Sequence, residues 1–401
     1  MSDGANREPR VLLCPCHYLF DEVTEGSEFA WAFNLGDGIA RRLPGSVVVT
    51  GSANLVGPRG YQIVELQPAK RKRDLSLRNA LAFNWRYYRA SARLLREKRF
   101  DIVHHVLPFA LHNTYNLAWL LGRAKGAKLV LGPIQQPLRL QDPSGPSRVP
   151  FNAARLASPL ASALSRATVL HADRIVVIGA EARDMVLQLG ASASRVEVIP
   201  PGINLTRYPF VPGSARPSDG IVLLVIGHLT QRKGVDMTVR ALAMVVQSHP
   251  NVKLKVIGEG PEKAALRQLT HSLGVSENVE FVGHVPNSEI GRYYRASHFL
   301  ISMSRSESFG AVCLEAMASG LVVIATRVGI FADAIKDGIN GFTVEHDDYQ
   351  SVARKLVSLI DDRTRRDLIG VAARRECENR FDWETVLIPK YTKLYEQVLS
   401  E

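Results

Sequence analysis

The chain has 401 residues, which at about 150 residues per domain is enough for two or three domains with their own cores, so a small disulfide-stapled scaffold is excluded. Hydrophobic residues make up 46% and charged residues 22%, a composition typical of globular rather than disordered proteins. No apolar run approaches the roughly 18 residues of a membrane-spanning helix, and the start, MSDGANREPR, lacks the apolar stretch of a secretory signal. We therefore expect a cytoplasmic protein.

The charge is strongly positive and unevenly spread. Fifty Lys and Arg against 39 Asp and Glu give a formal net charge of +11, which favours anionic partners without identifying them. Residues 70–99 alone hold eleven basic and two acidic residues, a net charge of +9. No recognisable nucleic-acid-binding module accompanies this charge, so we do not expect a nucleic-acid partner.

Short β-branched runs alternate with helical stretches along the whole chain, the pattern of parallel sheets covered on both faces by helices. We predict an α/β fold with two doubly wound sheets. Seven strands are predicted near Val11–Leu13, Val47–Thr50, Ile63–Leu66, Ile102–Val106, Leu129–Leu131, Ile175–Ile178 and Val196–Ile199. Six more are predicted near Ile221–Ile226, Leu254–Ile257, Val279–Val282, Phe299–Met303, Val322–Ile324 and Phe342–Val344.

The basic segment 70–99 contains a helical pattern. Apolar residues recur three or four positions apart at Leu77, Leu81, Trp85, Tyr88, Ala92 and Leu95. We interpret them as a core-facing stripe and the arginines as a solvated flank. The alternative is that this segment contacts anionic lipid headgroups or an anionic acceptor.

Domain limits follow from composition and from one apolar stripe. The Pro-, Gly- and Ser-rich stretch 209–220 predicts a linker between an N-terminal domain, 1–208, and a C-terminal domain, 221–382. From Trp383 to Leu399 apolar residues recur at helical spacing around Pro389, which predicts a kinked helix packed on another element.

Two strand–loop–helix units of the second half carry charged residues. Arg232 and Lys233 follow a strand within residues 221–242, and adjacent cations at the carboxyl end of a parallel strand suit a diphosphate. In SRSESFGAVCLEAMASG, residues 304–320, Gly310 allows close approach of the backbone and begins a helix whose N-terminus attracts anions. Glu307 and Glu315 flank that N-terminus, so the two carboxylates bracket the predicted ligand.

The order and spacing of these pieces resemble the retaining, nucleotide-sugar-dependent glycosyltransferases of family 4, which have the GT-B fold. The resemblance rests on GSE after the first strand, ADRIVVIGAEARDMV, VIPPGINLTRYPF, the RKG loop, the E-x7-E helix, DGINGF and the W-x11-Y terminal helix. It implies two facing Rossmann-like domains with the active site in the cleft between them. It also implies that the N-terminal domain binds the acceptor and that the terminal helix, 383–401, returns to that domain.

The resemblance also assigns roles to residues. Arg232 and Lys233 are expected to hold the diphosphate of the donor and to neutralise the leaving nucleotide. Glu307 is expected near the reacting carbon of the sugar, with Glu315 on the ribose hydroxyls. The remaining donor-site residues are Gly26, closing over the phosphates, the Phe309 and Gly310 amides on phosphate or sugar, and His228, which stands where the family usually has Arg.

The implied reaction is retaining sugar transfer from a UDP- or GDP-sugar to an acceptor hydroxyl in glycan, glycolipid or secondary-metabolite biosynthesis, with no metal or other cofactor expected. Two alternatives are a nucleotide-sugar epimerase and a low-activity nucleotide-sugar-binding partner of another transferase. His228 and the GPIQQP sequence at 132–137, where many relatives place a His, permit the binding-partner alternative. His104 and His105 lie at the end of a predicted strand and are either ligand-facing or structural.

Overall fold

The computed structural model describes residues 7–14, 16, 19–22, 27–66, 77–106, 118–135, 159–216, 220–307 and 309–401. The chain divides into two compact units. The first unit holds the described residues within Met1–Leu138, Val149–Gly202 and Trp383–Glu401, and the second unit holds those within Ile203–Asp382.

The first unit is built on a seven-stranded parallel sheet. In chain order the strands of the unit are β1 Val11–Leu13, β2 Leu19–Asp21, β3 Val47–Thr50, β4 Ser52–Asn54, β5 Gln62–Glu65, β6 Ile102–His105, β7 Lys128–Ile134, β8 Arg174–Val177 and β9 Val196–Val198. Strands β2 and β4 form a separate small parallel pair, and the other seven form the large sheet. The order across the large sheet is β5-β3-β1-β6-β7-β8-β9. Its helices are α1 Ser27–Arg42, α2 Leu77–Glu97, α3 Ala118–Ala124, α4 Pro159–His171 and α5 Ala180–Gln188.

The second unit repeats the plan with six parallel strands. They are β10 Val222–Ile226, β11 Lys253–Ile257, β12 Val279–Gly283, β13 Phe299–Ser302, β14 Val322–Thr326 and β15 Phe342–Val344, in the order β12-β11-β10-β13-β14-β15. Its helices are α6 Val235–Val245, α7 Lys263–Ser272, α8 Ile290–Ala296, α9 Ala311–Ala318, α10 Ile330–Ala334, α11 Tyr349–Ile360 and α12 Arg363–Arg380. Near-continuous apolar strands such as Val222–Ile226 are typical of sheets buried on both faces.

The predicted α/β class and all thirteen predicted sheet strands are confirmed, with ends that differ by a few residues at most. The pair β2–β4 was not predicted. Each of its strands has only three residues, and Ser52–Asn54 is polar and partly exposed, so neither has an apolar run.

The face that helix α2 turns inward differs from the predicted one. The buried positions are Asn84, Tyr87, Ser91, Leu94 and Leu95. Of the predicted stripe, Leu95 is buried, but Trp85 is 60% exposed and Tyr88 is only half-buried. The prediction of a core-facing Trp85 is therefore wrong, and the side chains of Leu77 and Leu81 lie outside the described residues.

Polar side chains on the inner face of α2 account for this difference. The Ser91 hydroxyl donates to the Tyr87 carbonyl at 2.8 Å, and its Oγ lies 2.9 Å from Cys14 Sγ. Burying a hydroxyl costs little free energy when it keeps such hydrogen-bond partners. A pattern of apolar residues alone cannot detect it.

The terminal segment forms a π-helix, Trp383–Leu387, followed by α13, Ile388–Ser400. Pro389 lies in the first turn of α13, where its missing N–H costs no helical hydrogen bond. The buried residues are Trp383, Leu387, Ile388, Tyr391, Leu394, Tyr395 and Val398. The predicted apolar stripe is thus confirmed, except that Val386 is half-buried.

The predicted linker is not a free connection. Ile203 and the residues after it belong to the second unit, so the division of the chain falls before the predicted linker. Arg216 is 7% exposed, and its guanidinium donates to the carbonyls of Tyr294, Ser297, Ser319 and Val211. Burial lowers the pKa of Arg216 to about 10. These bonds fix the segment on the second unit.

Within the part of the chain that the structure describes, no helix is both long and apolar enough to cross a bilayer.

Candidate functional site

The topology of the second sheet marks one place for a ligand. Strands β10 and β13 are neighbours, and the strand order reverses between them. In open α/β sheets ligands bind at the carboxyl ends of the strands at such a switch point. The loops that follow these two strands, 227–234 and 303–310, contact each other here, because the Arg305 amide donates to the Arg232 carbonyl at 2.8 Å.

The loop after β10 is held tightly against the loop after β13. Gln231–Lys233 form one 3₁₀ turn, and Gly234 begins helix α6 with φ +59°. A Cβ at Gly234 would lie 2.1 Å from the Met303 carbonyl oxygen, so only glycine fits. This packing fixes the backbone from which Arg232 and Lys233 extend.

Arg232, Lys233 and Glu307, which the sequence analysis selected separately, meet in one cluster. Lys233 Nζ lies 2.6 Å from Glu307 Oε1, and Arg232 Nη1 lies 3.5 Å from Glu307 Oε2. The Ser304 hydroxyl donates to Glu307 Oε1 at 2.7 Å. The Glu307 side chain is only 6% exposed, against 21% for Arg232 and 17% for Lys233. Two cations and one carboxylate leave a net positive charge in a poorly solvated place, which suits an anion with several oxygens.

Gly310 lies beside this cluster and begins helix α9 in the left-handed conformation, with φ +89°. A Cβ built on Gly310 would lie 2.7 Å from the Phe331 ring and 3.7 Å from Glu307 Cγ. Phe309 is 4% exposed, and its carbonyl accepts a hydrogen bond from the Ile330 amide at 2.7 Å. The Phe309 side chain is therefore a core residue, and the N-terminus of α9 lies next to Glu307.

Glu315, farther along α9, is half-buried and bonded to a tyrosine. The Tyr294 hydroxyl donates to Glu315 Oε2 at 2.5 Å, and the Tyr208 ring packs edge to face on Tyr294 with centroids 5.8 Å apart. Burial raises the pKa of Glu315, while the two tyrosines and the charge of Arg207 act in the opposite direction. The sequence analysis missed both tyrosines, although Tyr208 lies in the family-like sequence VIPPGINLTRYPF.

Of the two remaining predicted donor-site residues, only one can be located. His228 is exposed and directly follows Gly227 at the end of β10. A Cβ on Gly227 would lie 3.3 Å from Lys233 Cε, so the Lys233 side chain crosses the backbone next to His228. Gly26 lies outside the described residues, and its role stays a prediction.

His104 in the first unit has a structural role. It is fully buried, with Nε2 2.9 Å from the Gly132 carbonyl and Nδ1 2.6 Å from the Tyr395 hydroxyl. Because a carbonyl only accepts, Nε2 carries the hydrogen and Nδ1 accepts from Tyr395. Burial lowers the pKa of His104 to about 4, so the ring is neutral near pH 7. Its neighbour His105 is 3% exposed.

Across the described ranges, no three His, Cys, Asp or Glu side chains are grouped so as to hold a metal ion.

Two family models match consecutive parts of the chain. The model described as Glycosyltransferase Family 4 matches residues 32–207, and the model described as Glycosyl transferases group 1 matches residues 210–376. Among curated proteins, the D-inositol 3-phosphate glycosyltransferase of Acidothermus cellulolyticus is 36% identical over 252 residues, which cover 58% of this chain and 55% of that protein. The enzyme of the same name from Nocardia farcinica is 36% identical over 219 residues, covering 51% and 49%. The chain thus spans about half the length of these relatives.

Solved structures match over nearly the whole chain. Sucrose-phosphate synthase from Thermosynechococcus elongatus has a TM-score of 0.72 at 20% identity, covering 98% of this chain and 100% of that one. Anabaena HepE in complex with UDP has a TM-score of 0.68 at 16% identity, covering 97% and 100%. At these identities the likeness establishes the fold, which is GT-B. The two models together span most of the chain, which therefore belongs to the family 4 glycosyltransferases.

Proposed function

We propose that this chain is a retaining glycosyltransferase that moves a sugar from a UDP- or GDP-sugar to an acceptor hydroxyl. The observation that carries the proposal is the cluster of Arg232, Lys233 and Glu307 at the carboxyl ends of β10 and β13. Its surplus positive charge complements a diphosphate. That HepE was crystallised with UDP and with UDP-glucose supports a uridine donor as the first to test.

The proposed chemistry needs charge stabilisation more than a protein nucleophile. The bond between the anomeric carbon and the phosphate oxygen breaks, and the nucleoside diphosphate leaves with increased negative charge next to Arg232 and Lys233. The acceptor hydroxyl attacks on the same face, and its proton passes to the departing phosphate. Glu307, fixed by Lys233 and Ser304, orients the donor sugar. One such preorganised charge typically contributes a factor of about 10² to the rate.

The acceptor side of the proposal rests on family membership. We assign acceptor binding to the first unit and expect a hydroxyl of a glycan, a glycolipid or a secondary metabolite. Because the curated relatives are named for D-inositol 3-phosphate, this polyol phosphate belongs in the acceptor panel.

The test is to incubate the protein with UDP- and GDP-sugars, with and without the acceptor panel, and to follow donor and products by mass spectrometry. Donor consumption that requires an acceptor, with the anomeric configuration retained by NMR, supports the proposal. Donor conversion without any acceptor favours the epimerase, and nucleotide binding without turnover favours the partner protein.

We also propose that helix α2 contacts an anionic membrane surface, which would place the protein at the inner face of a membrane. Trp85 is 60% exposed, and its ring stacks on Tyr88 with centroids 5.5 Å apart. Exposed arginines follow along the same helix at Arg86, Arg89, Arg93 and Arg96, of which Arg93 pairs with Glu97 at 2.8 Å. Trp and Tyr favour the membrane interface, and each basic residue near an anionic leaflet contributes about 1 kcal/mol.

Flotation with vesicles of phosphatidylcholine alone or with added phosphatidylglycerol tests this contact. The protein should float only with the anionic vesicles, and Trp85→Ala should reduce the floated fraction severalfold. The matched control is Leu368→Ala, which removes an apolar side chain that is 66% exposed on α12. Equal flotation with both kinds of vesicle, or equal losses in the two variants, contradicts the contact.

A further inference from the structure

Arg305 is a charged residue beside the candidate site that the proposed function does not use. It lies in the loop after β13, two residues before Glu307, and its side chain is 40% exposed. Its guanidinium donates to the Gln231 carbonyl through Nη1 and to Asp347 Oδ1 through Nη2, the latter at 2.7 Å. Its amide donates to the Arg232 carbonyl at 2.8 Å. One residue thus connects the loops that follow β10, β13 and β15.

These bonds hold the turn that carries the two cations of the proposed donor site. Arg305 contacts the carbonyls of two consecutive residues, Gln231 and Arg232, directly before Lys233. Arg232 in turn donates from its guanidinium to the Ser306 carbonyl. Each loop therefore sends an arginine side chain to the backbone of the other. Together these bonds restrict the backbone from which the Arg232 and Lys233 side chains extend.

The third loop supplies a fixed partner for Arg305. Asp347 has a φ of +62°, and within the described ranges it is the only residue other than glycine with a positive φ. This conformation costs free energy for a residue with a side chain, although Asp adopts it more readily than most. The next residue, Asp348, caps α11, because its Oδ1 accepts from the Ser351 amide at 2.9 Å. Asp347 thus presents its carboxylate from a backbone anchored at a helix start.

The pair of Arg305 and Asp347 is suited to positioning rather than to stability or to extra charge. Asp347 is 56% exposed, and ion pairs between such exposed side chains contribute little to the free energy of unfolding. The carboxylate also offsets the charge of Arg305, so this arginine adds little to the positive charge beside Glu307. A guanidinium is needed because its planar fork reaches two partners at once, which the single ammonium of a lysine does less well.

We infer that Arg305 is a positioning residue for donor binding: together with Asp347 it fixes the Gln231–Lys233 turn, and with it the Arg232 and Lys233 side chains, before the donor diphosphate arrives. This inference rests on the proposed function, in which those two cations hold the diphosphate. It adds to that site a residue that acts through the two cations, and a third loop that anchors it.

Calorimetric titration with UDP and UMP, and with GDP and GMP, tests the inference, because the ratio of the two dissociation constants isolates the contribution of the second phosphate. The wild type should prefer the diphosphate. Arg305→Met should reduce that preference about tenfold, on the order of one hydrogen bond made by a charged group. A merely structural disturbance of the unit would weaken both nucleotides alike and leave the ratio unchanged.

Two further variants separate positioning from charge. Arg305→Lys keeps the charge but not the fork, so it should lose the preference much as Arg305→Met does. Asp347→Asn keeps a residue type that adopts positive φ and removes the charge that anchors Arg305, so the preference should fall. If Arg305 acted as one more cation, Arg305→Lys would keep the preference and Asp347→Asn would raise it. Either of these results overturns the inference.

The matched control is Arg363→Met, which removes another exposed arginine with an ion pair of its own, to Asp367 at 4.0 Å. Arg363 begins α12 and is separated from Asp347 by helix α11, whose 12 residues span about 18 Å. This variant should keep the wild-type preference. An equal loss in Arg363→Met and Arg305→Met would show that net charge decides the preference, which overturns the positioning role.

The outcomes separate the inference from the function beneath it. If Lys233→Ala loses the preference for the diphosphate and Arg305→Met keeps it, the positioning role is overturned and the donor site stands. If the wild type binds none of the four nucleotides, the proposed donor site fails, and the inference fails with it.

Discussion

The two sheets share a strand order around their switch points, but different side chains occupy corresponding strand ends. In the first unit, β1 and β6 lie at the switch, and His104 near the end of β6 is enclosed by Tyr395 and the Gly132 carbonyl. In the second unit, the ends of β10 and β13 carry Arg232, Lys233 and Glu307. One topology thus supports a structural hydrogen bond in one unit and a charged cluster in the other.

The two strand ends differ in the kind of side chain they hold and in its partners within the protein. Both nitrogens of His104 have protein partners, so the ring has nothing to offer a ligand. Lys233 and Arg232 both pair with Glu307, at 2.6 and 3.5 Å, so two cations lie against one carboxylate there. The shared topology alone therefore does not assign a function to a strand end.

The largest expected effect comes from removing one cation of the cluster. Lys233→Ala should lower the turnover of donor by about 100-fold or more, because the leaving diphosphate loses a preorganised charge. The control is Lys255→Ala, which breaks an ion pair of similar length, 2.7 Å to Glu280, outside the site. Steady-state kinetics of both variants checks this, and comparable losses would contradict a specific role for Lys233.

The structural nature of His104 predicts an effect on stability alone. Tyr395→Phe should lower the free energy of unfolding by about 1–3 kcal/mol, because it leaves His104 Nδ1 buried without its donor. Nucleotide affinity should not change. Tyr391→Phe is the matched control, since Tyr391 packs its ring 5.9 Å from His104, whose nitrogens bond elsewhere. Urea unfolding and calorimetry measure the two quantities, and lost affinity in Tyr395→Phe would mean that this region also serves the ligand.

Acidification should lower the stability of the protein through the same histidine, His104. The folded protein holds the pKa of His104 at about 4, below the ordinary value of 6.5, so the unfolded chain binds the proton first. The stability from neutral His104 is present above pH 6.5 and is lost as the pH falls toward 4. Between pH 7.5 and 5 this amounts to about 2 kcal/mol, which urea unfolding at the two pH values detects. Unchanged stability would show that His104 is more easily protonated than its burial implies.

The smallest expected effect on the free energy of unfolding comes from removing the exposed ion pairs of the terminal segment. Glu384, half-exposed on the π-helix, pairs with Arg41 at 2.8 Å and with Arg42 at 3.3 Å. Solvent screening keeps such pairs weak, so Glu384→Gln should cost less than about 1 kcal/mol of unfolding free energy. A loss as large as that of Tyr395→Phe would show that charge, rather than buried packing, holds this segment.

Regular features of the fold were predictable from the sequence, and polar burial was not. Strand β10 reads as five apolar residues, so its place in a parallel sheet follows from the sequence. The inner face of α2 includes the buried Ser91, whose hydroxyl meets Cys14 from a distant segment. Arg216 was assigned to a linker for the same reason, because three of the backbone carbonyls that accept its hydrogen bonds, those of Tyr294, Ser297 and Ser319, come from other parts of the chain.

In the candidate site, too, some features could be predicted from the sequence and others depend on contacts between distant segments. Arg232, Lys233 and Glu307 could be selected because they lie in loops that follow predicted parallel strands, where open α/β sheets bind ligands. Their mutual contacts, and the Ser304 bond to Glu307, depend on the tight packing of two loops. The bond from Tyr294 to Glu315 could not be found, because nothing in the sequence around Tyr294 indicates which carboxylate its hydroxyl meets.

The most direct test of the account is a thermal-shift titration of the wild type and Lys233→Ala with UDP-, GDP-, ADP- and dTDP-sugars. A ligand at 100 times its dissociation constant stabilises the protein that binds it by about 2.7 kcal/mol. We predict a selective shift with a UDP- or GDP-sugar that Lys233→Ala largely abolishes and Lys255→Ala preserves. No shift with any nucleotide sugar, or an equal shift in all three proteins, would contradict the donor site at the ends of β10 and β13.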